Sequence, residues 1–205
     1  MLQKHAVPGP AMDVLNFLSA QDFLNEFRLV GGTGLALYWG HRRSVDIDLF
    51  TDKKLSVTLL EHKLTSLDGA VQVSKNPIGL MYEINSIKCD FLIYPYSFLF
   101  NEITEDGIRI AHIEDIIALK LGAIANRGAM KDFVDLYYML DRYSITDLLF
   151  FYSRMYKVNE HFSLLKSMTY FEDAENELLP KLFIDKKLTW EKIKKTIVSK
   201  VAMAL

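Results

Sequence analysis

The run Val45-Asp46-Ile47-Asp48-Leu49-Phe50 constrains this chain more than any other stretch of it. Side chains of an extended strand alternate between two faces, so Val45, Ile47 and Leu49 share one face and suit a core. Asp46 and Asp48 then stand side by side on the other face. Aspartate is depleted in strands, and two carboxylates on one face repel each other unless a cation lies between them. Paired carboxylates with few other ligands suit Mg²⁺, a hard ion that takes oxygen donors. From the strand alone two readings stay open: a metal-binding pair, or a solvated face beside the basic Arg42 and Arg43.

What precedes the strand narrows the choice. Phe27 to Val30 is a short apolar run that reads as a buried strand ending at Gly31-Gly32. Thr33 is placed to cap a helix over Leu35 to Trp39, which Gly40 stops. Glycines let a backbone approach phosphate closely, and a helix N-terminus supplies amide donors and a favourable dipole. Gly31-Gly32-Thr33-Gly34 matches neither the Walker motif nor the dinucleotide fingerprint, and alone it reads equally well as a tight turn. Shortly before Asp-x-Asp, it offers a phosphate cradle beside a metal site. Two-metal chemistry would use a third carboxylate. Asp90 is the candidate, being the one acid in the apolar run Ile87 to Tyr94. A lone carboxylate there needs a partner, and Lys88 or a nearby arginine is the plain alternative to a metal.

Along the rest of the chain, Pro8-Gly9-Pro10 blocks helix and opens one over Ala11 to Leu24, with Met12, Leu15, Leu18 and Phe23 on one side. Leu55 to Leu67 reads as a helix. Val71 to Val73, Leu80 to Ile84 and Ile87 to Tyr94 read as successive strands, with turns at Asn76-Pro77 and Asn85-Ser86. Ile108 to Ala111 is one more short strand. From His112 onward the period becomes helical: Ile113 to Asn126, capped by Gly128, then Met130 to Leu140, Ile145 to Tyr156 and Trp190 to Ala202. These periods predict an α+β mixed-sheet core over residues 1–111 and a helical C-terminal part over 112–205 packed on it.

Several motifs together carry a family resemblance. Leu29 to Phe50, LVGGTGLALYWGHRRSVDIDLF, resembles the first motif of the AbiEii-like nucleotidyltransferases. These are toxins of type IV toxin–antitoxin and abortive-infection systems, within the polymerase-β-like nucleotidyltransferase superfamily. The strand around Lys88 and Asp90 resembles the family's second motif. Lys120-Leu121, Arg127, Lys131-Asp132-Phe133 and Asp135-Leu136-Tyr137 resemble the third. The wider superfamily often has Gly-Ser at the phosphate turn, where this chain has Gly31-Gly32. The resemblance implies a nucleotidyltransferase fold and transfer of a nucleoside monophosphate from a nucleoside triphosphate to an acceptor hydroxyl. It implies two Mg²⁺ ions on Asp46, Asp48 and Asp90, and catalytic roles for those three with Lys120 and Asp132. Gly31, Gly32, Thr33, Arg42, Ser44 and Lys131 become candidate nucleotide contacts. The acceptor it implies is RNA, particularly the tRNA 3′ end, or a protein, and a cognate antitoxin is an expected partner. Without the resemblance, Lys120, Arg127, Lys131, Asp132 and Asp135 read as a solvated helix face.

Composition sets the outer bounds. Among 205 residues, 50% are hydrophobic and 24% charged, enough to bury a core. The formal net charge of -2 lacks a nucleic-acid footprint, although local patches do such binding. Seven lysines lie between Lys181 and Lys200 against Asp185 and Glu191, and a solvated helix face accounts for them as well as a nucleic-acid patch. The single cysteine, Cys89, reads as a buried structural thiol. The scattered histidines suggest no metal cluster. The N-terminal run has no signal-peptide core and no long apolar stretch appears, so a cytoplasmic protein with no membrane partner is expected. Two rival readings remain: a module that binds nucleotide or a partner without turnover, and a nucleotidyltransferase of small molecules such as antibiotics.

Overall fold

A computed structural model describes residues 1–203. The chain divides into two compact units, Met1–His112 and the residues from Ile113 onward. The first is built in the order α1 (Gly9–Ser19), β1 (Arg28–Leu29), α2 (Gly31–Trp39), β2 (Ile47–Thr51), α3 (Val57–Thr65), β3 (Ala70–Asn76), β4 (Gly79–Ile84), β5 (Ile87–Ile93), β6 (Ile103–Glu105) and β7 (Ile108–Ile110).

The seven strands form one mixed sheet in the order β3-β4-β5-β2-β1-β7-β6. β2 runs parallel to β5 and β1 parallel to β7, while the remaining pairs are antiparallel. Register sorts the side chains. Ile47, Cys89 and Tyr82 form one cross-strand row, and Leu49, Phe91 and Leu80 the next, all of them buried. Helix α1 packs against β5 and β7, and α3 against β3 and β4. The intervening row on the other face is Asp48, Asp90 and Met81, each only partly buried. Edge strand β3 is largely exposed, including Val71 and Val73, and carries a bulge between Gln72 and Ser74.

Local chemistry explains most boundaries. Pro8, in extended backbone, precedes α1, and Pro10 sits within its first turn, where a missing N–H costs nothing. Helix α1 stops at Ser19 rather than continuing to Leu24: Gln21 is extended, and Asp22 to Leu24 form a separate 3-10 turn that buries Leu24 in place of Phe23. Gly40 ends α2 at φ 62°, the left-handed conformation a glycine cap supplies without strain. Ser56 caps α3 through its hydroxyl, which accepts from the Leu59 amide. The β4–β5 hairpin turns on Asn85 and Ser86, both at positive φ, as the two-residue turn requires. Strand β6 has no alternation long enough to announce itself in the sequence.

The second unit comprises α4 (Ile113–Asn126), α5 (Met130–Arg142), α6 (Ile145–Tyr156), α7 (Phe162–Met168) and α8 (Trp190–Ala202). Helix α4 packs against α5, α6 and α7, and α5 against α8. Gly122 lets α4 approach α6, because a Cβ there would meet the Tyr156 hydroxyl. A Ser144–Asp147 capping box opens α6. Gly128 is absent from the glycines at positive φ and is no left-handed cap of α4; a Cβ on it would press on the Phe133 ring. Among the described residues no helix is long and apolar enough to cross a membrane.

Lys120, Asp132 and Asp135 are not part of a solvated helix face. Lys120 on α4 is 5% exposed, and its ammonium donates to Asp132 at 2.9 Å and meets Asp135 at 2.7 Å, both on α5 and both fully buried. The contact between the two helices removes these groups from water, so their charges must satisfy one another. Lys120→Met would leave two buried carboxylates without their ammonium. We expect it to lower unfolding stability by about 3–5 kcal/mol, measured by urea denaturation against wild type.

Candidate functional site

The site in the first unit begins with backbone geometry. Gly31 opens α2 at φ 65°, and a Cβ on it would overlap the Asp48 carboxylate. The Val30 amide donates to the Asp48 carbonyl at 2.9 Å, which ties the start of α2 to β2. Gly32 is equally crowded: a Cβ there would fall on the Arg42 guanidinium. Arg42 is 2% exposed, and its Nη1 donates to the Arg43 carbonyl at 3.0 Å. Thr33 does not cap the helix, which already starts at Gly31 with Val30 as its N-cap. Its buried hydroxyl donates instead to the Asp46 carbonyl and lies 3.0 Å from the Ser44 hydroxyl. Gly31, Gly32, Thr33, Arg42 and Ser44 therefore surround the start of α2 and the approach to β2.

The carboxylates gather by register. Asp48 of β2 is paired with Asp90 of β5 in the parallel ladder, and neighbouring strands lie about 4.8 Å apart. Asp46 lies just outside the ladder, since β2 begins at Ile47. Val45, outside it too, is exposed rather than part of the core. Lys88, two residues before Asp90, reaches the Asp90 Oδ2 at 3.1 Å. Burial alone would pull the Lys88 ammonium down. Its hydrogen bond to Asp90 and the charges of Asp90, Asp46 and Asp48 outweigh that and hold it above its ordinary range. One ammonium thus feels all three carboxylates. Burial, reinforced by Asp90, Asp48 and Asp46, pushes the Cys89 thiol up to about 12.

Among the described residues, no three His, Cys, Asp or Glu side chains close around a common point as a metal cage. The donor chemistry fits a hard divalent cation all the same. Asp90 Oδ1 is buried and makes no hydrogen bond, and a carboxylate oxygen in that condition needs a cation or a proton. Its partner oxygen is bound by Lys88, so the ammonium stands where positive charge is wanted.

In the second unit, Lys120, Asp132 and Asp135 form the buried cluster described above. Arg127, largely exposed, lies 3.6 Å from Asp132 Oδ2, and Lys131 is partly buried next to Asp132 in sequence. Sequence reasoning weighed Lys88 only as a partner for Asp90, although its i, i+2 spacing on β5 puts it on the carboxylate face. It passed over Asp115, fully buried on α4; beside Glu114 in the first turn of that helix, it has no feature that separates it from an ordinary N-terminal acid.

Two outcomes follow from this geometry. Gly107 is also at positive φ, but a Cβ there meets nothing. Gly107→Ala should cost about 1–2 kcal/mol of unfolding stability for backbone strain alone. Gly31→Ala should cost clearly more, because Asp48 must move as well; equal losses in urea unfolding would refute the close approach. Cys89 should resist alkylation by iodoacetamide in the native protein at pH 8, where its thiolate is scarce, and react promptly once urea unfolds the chain.

The profile of the family described as "Nucleotidyl transferase AbiEii toxin, Type IV TA system" matches residues 13–86 and 83–203. The uncharacterized protein aq_aa25 of Aquifex aeolicus (strain VF5) is 32% identical over 183 residues, covering 86% of this chain and 87% of that one. Two solved structures share the fold. JHP933 from Helicobacter pylori superposes with a TM-score of 0.56 at 19% identity, covering 96% of this chain and 92% of its own. MenT4, a nucleotidyltransferase toxin from Mycobacterium tuberculosis H37Rv, gives 0.55 at 14% identity, covering 95% and 85%. The family match takes in the glycine turn, the strand carboxylates and the buried lysine cluster alike: the chain belongs to the AbiEii nucleotidyltransferases of type IV toxin–antitoxin systems.

Proposed function

We propose that this nucleotidyltransferase moves a nucleoside monophosphate from a nucleoside triphosphate onto a hydroxyl of RNA, the tRNA 3′ end being the foremost acceptor. The observation that carries nucleotidyl transfer is the register pair Asp48–Asp90, with Asp46 beside it and a buried Asp90 oxygen that makes no hydrogen bond; the RNA acceptor follows the family resemblance. Asp46, Asp48 and Asp90 would hold two Mg²⁺ ions. The chemistry such ions would supply is positive charge for the triphosphate and the leaving pyrophosphate.

The chain's own groups account for the remainder. The acceptor oxygen forms a bond to the α-phosphorus, the bond from that phosphorus to the bridging oxygen breaks, and pyrophosphate carries away the electron pair. Asp90 receives the hydroxyl proton. The amides at the start of α2 hold the β- and γ-phosphates through Gly31, Gly32 and Thr33, helped by the dipole of that helix. Arg42 and Ser44 brace the same turn. In the helical unit we assign Lys131 to phosphate charge, Lys acting as a point charge. Lys120 and Asp132 are assigned to catalysis as a pair whose charges set each other's position. A cognate antitoxin is the proposed protein partner, and the toxin family to which the chain belongs supports toxicity as the biological outcome.

The test is transfer from each α-³²P-labelled nucleoside triphosphate, with Mg²⁺, into total RNA and total cell protein. Label should enter an RNA band and vanish with Asp46→Ala, which should keep the wild-type circular dichroism spectrum. Label in protein alone would overturn the RNA acceptor. Nucleotide binding with no label and no pyrophosphate release would leave a binding module. Induced expression should arrest growth, and Asp48→Ala should relieve the arrest.

A further inference from the structure

Lys88 stands outside every role assigned so far, yet its position is unusual. It sits on β5 two residues before Asp90, hence on the same sheet face. Its cross-strand neighbour on β4 is Glu83, a ready partner by register. The ammonium makes its ion pair with Asp90 instead, at 3.1 Å. The reason is electrostatic. Glu83 offers one exposed carboxylate in water, whereas Asp90 belongs to a group of three whose charges add. The Lys88 side chain is nevertheless 46% exposed, so it can leave Asp90 for another partner without breaking a packed core. A lysine suits such movement: its charge is compact, its stem flexible, and it holds a carboxylate less rigidly than an arginine fork.

We propose that Lys88 is a built-in counter-ion of the carboxylate site, one that competes with free divalent cations and passes to a phosphate oxygen when the cation arrives already bound to nucleotide. The inference rests on the reading of Asp46, Asp48 and Asp90 as the metal ligands. A free cation must displace an ammonium that then has nowhere as favourable to go. A nucleotide-bound cation brings phosphate oxygens with it, and the displaced ammonium lands on one of them. Lys88 is thus a positioning residue that makes metal loading depend on substrate, and it guards the carboxylates against idle occupation by free metal.

The experiment uses the full chain and Mn²⁺, followed by electron paramagnetic resonance, with and without an α,β-methylene nucleoside triphosphate that cannot be transferred. Wild type should bind free Mn²⁺ weakly. Lys88→Met should bind it about tenfold more tightly, the effect of removing one positive charge near a divalent ion. Lys88→Arg, which keeps the charge, should stay as weak as wild type. With the methylene analogue the order should reverse: wild type should gain Mn²⁺ affinity steeply, and Lys88→Met should gain less and bind the analogue more weakly. Unchanged Mn²⁺ affinity in Lys88→Met overturns the inference. Asp48→Asn tells that failure from failure of the site itself. If Asp48→Asn abolishes Mn²⁺ binding while Lys88→Met does nothing, only the counter-ion role falls. If Asp48→Asn also changes nothing, the metal-site reading falls with it.

Discussion

The parallel pairing of β2 with β5 is the constraint on which the first unit turns. It aligns Ile47 with Cys89 and Leu49 with Phe91 on the face that α1 and α3 cover, and so anchors the core. The same register aligns Asp48 with Asp90 on the opposite face. Because side-chain alternation has a period of two, these results cannot be separated: a slip of one residue would send the carboxylates into the core and the apolar side chains out. The hydrophobic effect, which is strong and non-directional, thereby holds in place a pair of like charges that would otherwise move apart.

The two units meet the same electrostatic difficulty in opposite ways. In the helical unit Lys120 lies between Asp132 and Asp135, all out of water, and its ammonium meets one oxygen of each at short range. In the sheet unit the groups stay partly exposed. Lys88 answers one oxygen of Asp90, the other oxygen has no hydrogen bond, and Asp48 stands beside it in the ladder. A cluster shut away from water favours rigidity, while one that stays partly exposed favours binding.

Much of this was legible in the residues. The Asp-x-Asp alternation pointed to a strand with two faces, and the glycine pair before it pointed to a backbone approached closely; both features depend on local rules that a sequence carries in full. The helical periods of α4, α5, α6 and α8 were equally plain, since an amphipathic pattern over a dozen residues leaves little choice. What escaped notice depends on distant partners. That Lys120 is buried follows from α5 lying against α4, and nothing in its own neighbours distinguishes it from a surface lysine. Val45 fits the alternation perfectly but lies before the first ladder pair, so it gains no burial. Gly128 looks like a helix cap by position, yet its small size serves the Phe133 ring instead. The roles of Gly31 and Gly32 sit between these cases: the need for glycine was readable, but the atoms that require it, the Asp48 carboxylate and the Arg42 guanidinium, were not.

The bulge in β3 has a consequence for how the sheet ends. An outermost strand presents unpaired amides and carbonyls that could recruit a further strand from another molecule, and Val71 and Val73 would make such an addition adhesive. The irregularity between Gln72 and Ser74 breaks the even spacing that a newcomer would need, and Lys75 adds a charge close by, held by Glu61 at 2.6 Å. The chain thus carries its own stop signal against open-ended growth at the margin nearest its carboxylates, and the protein can present a long, sparsely covered hairpin without becoming a template for fibres.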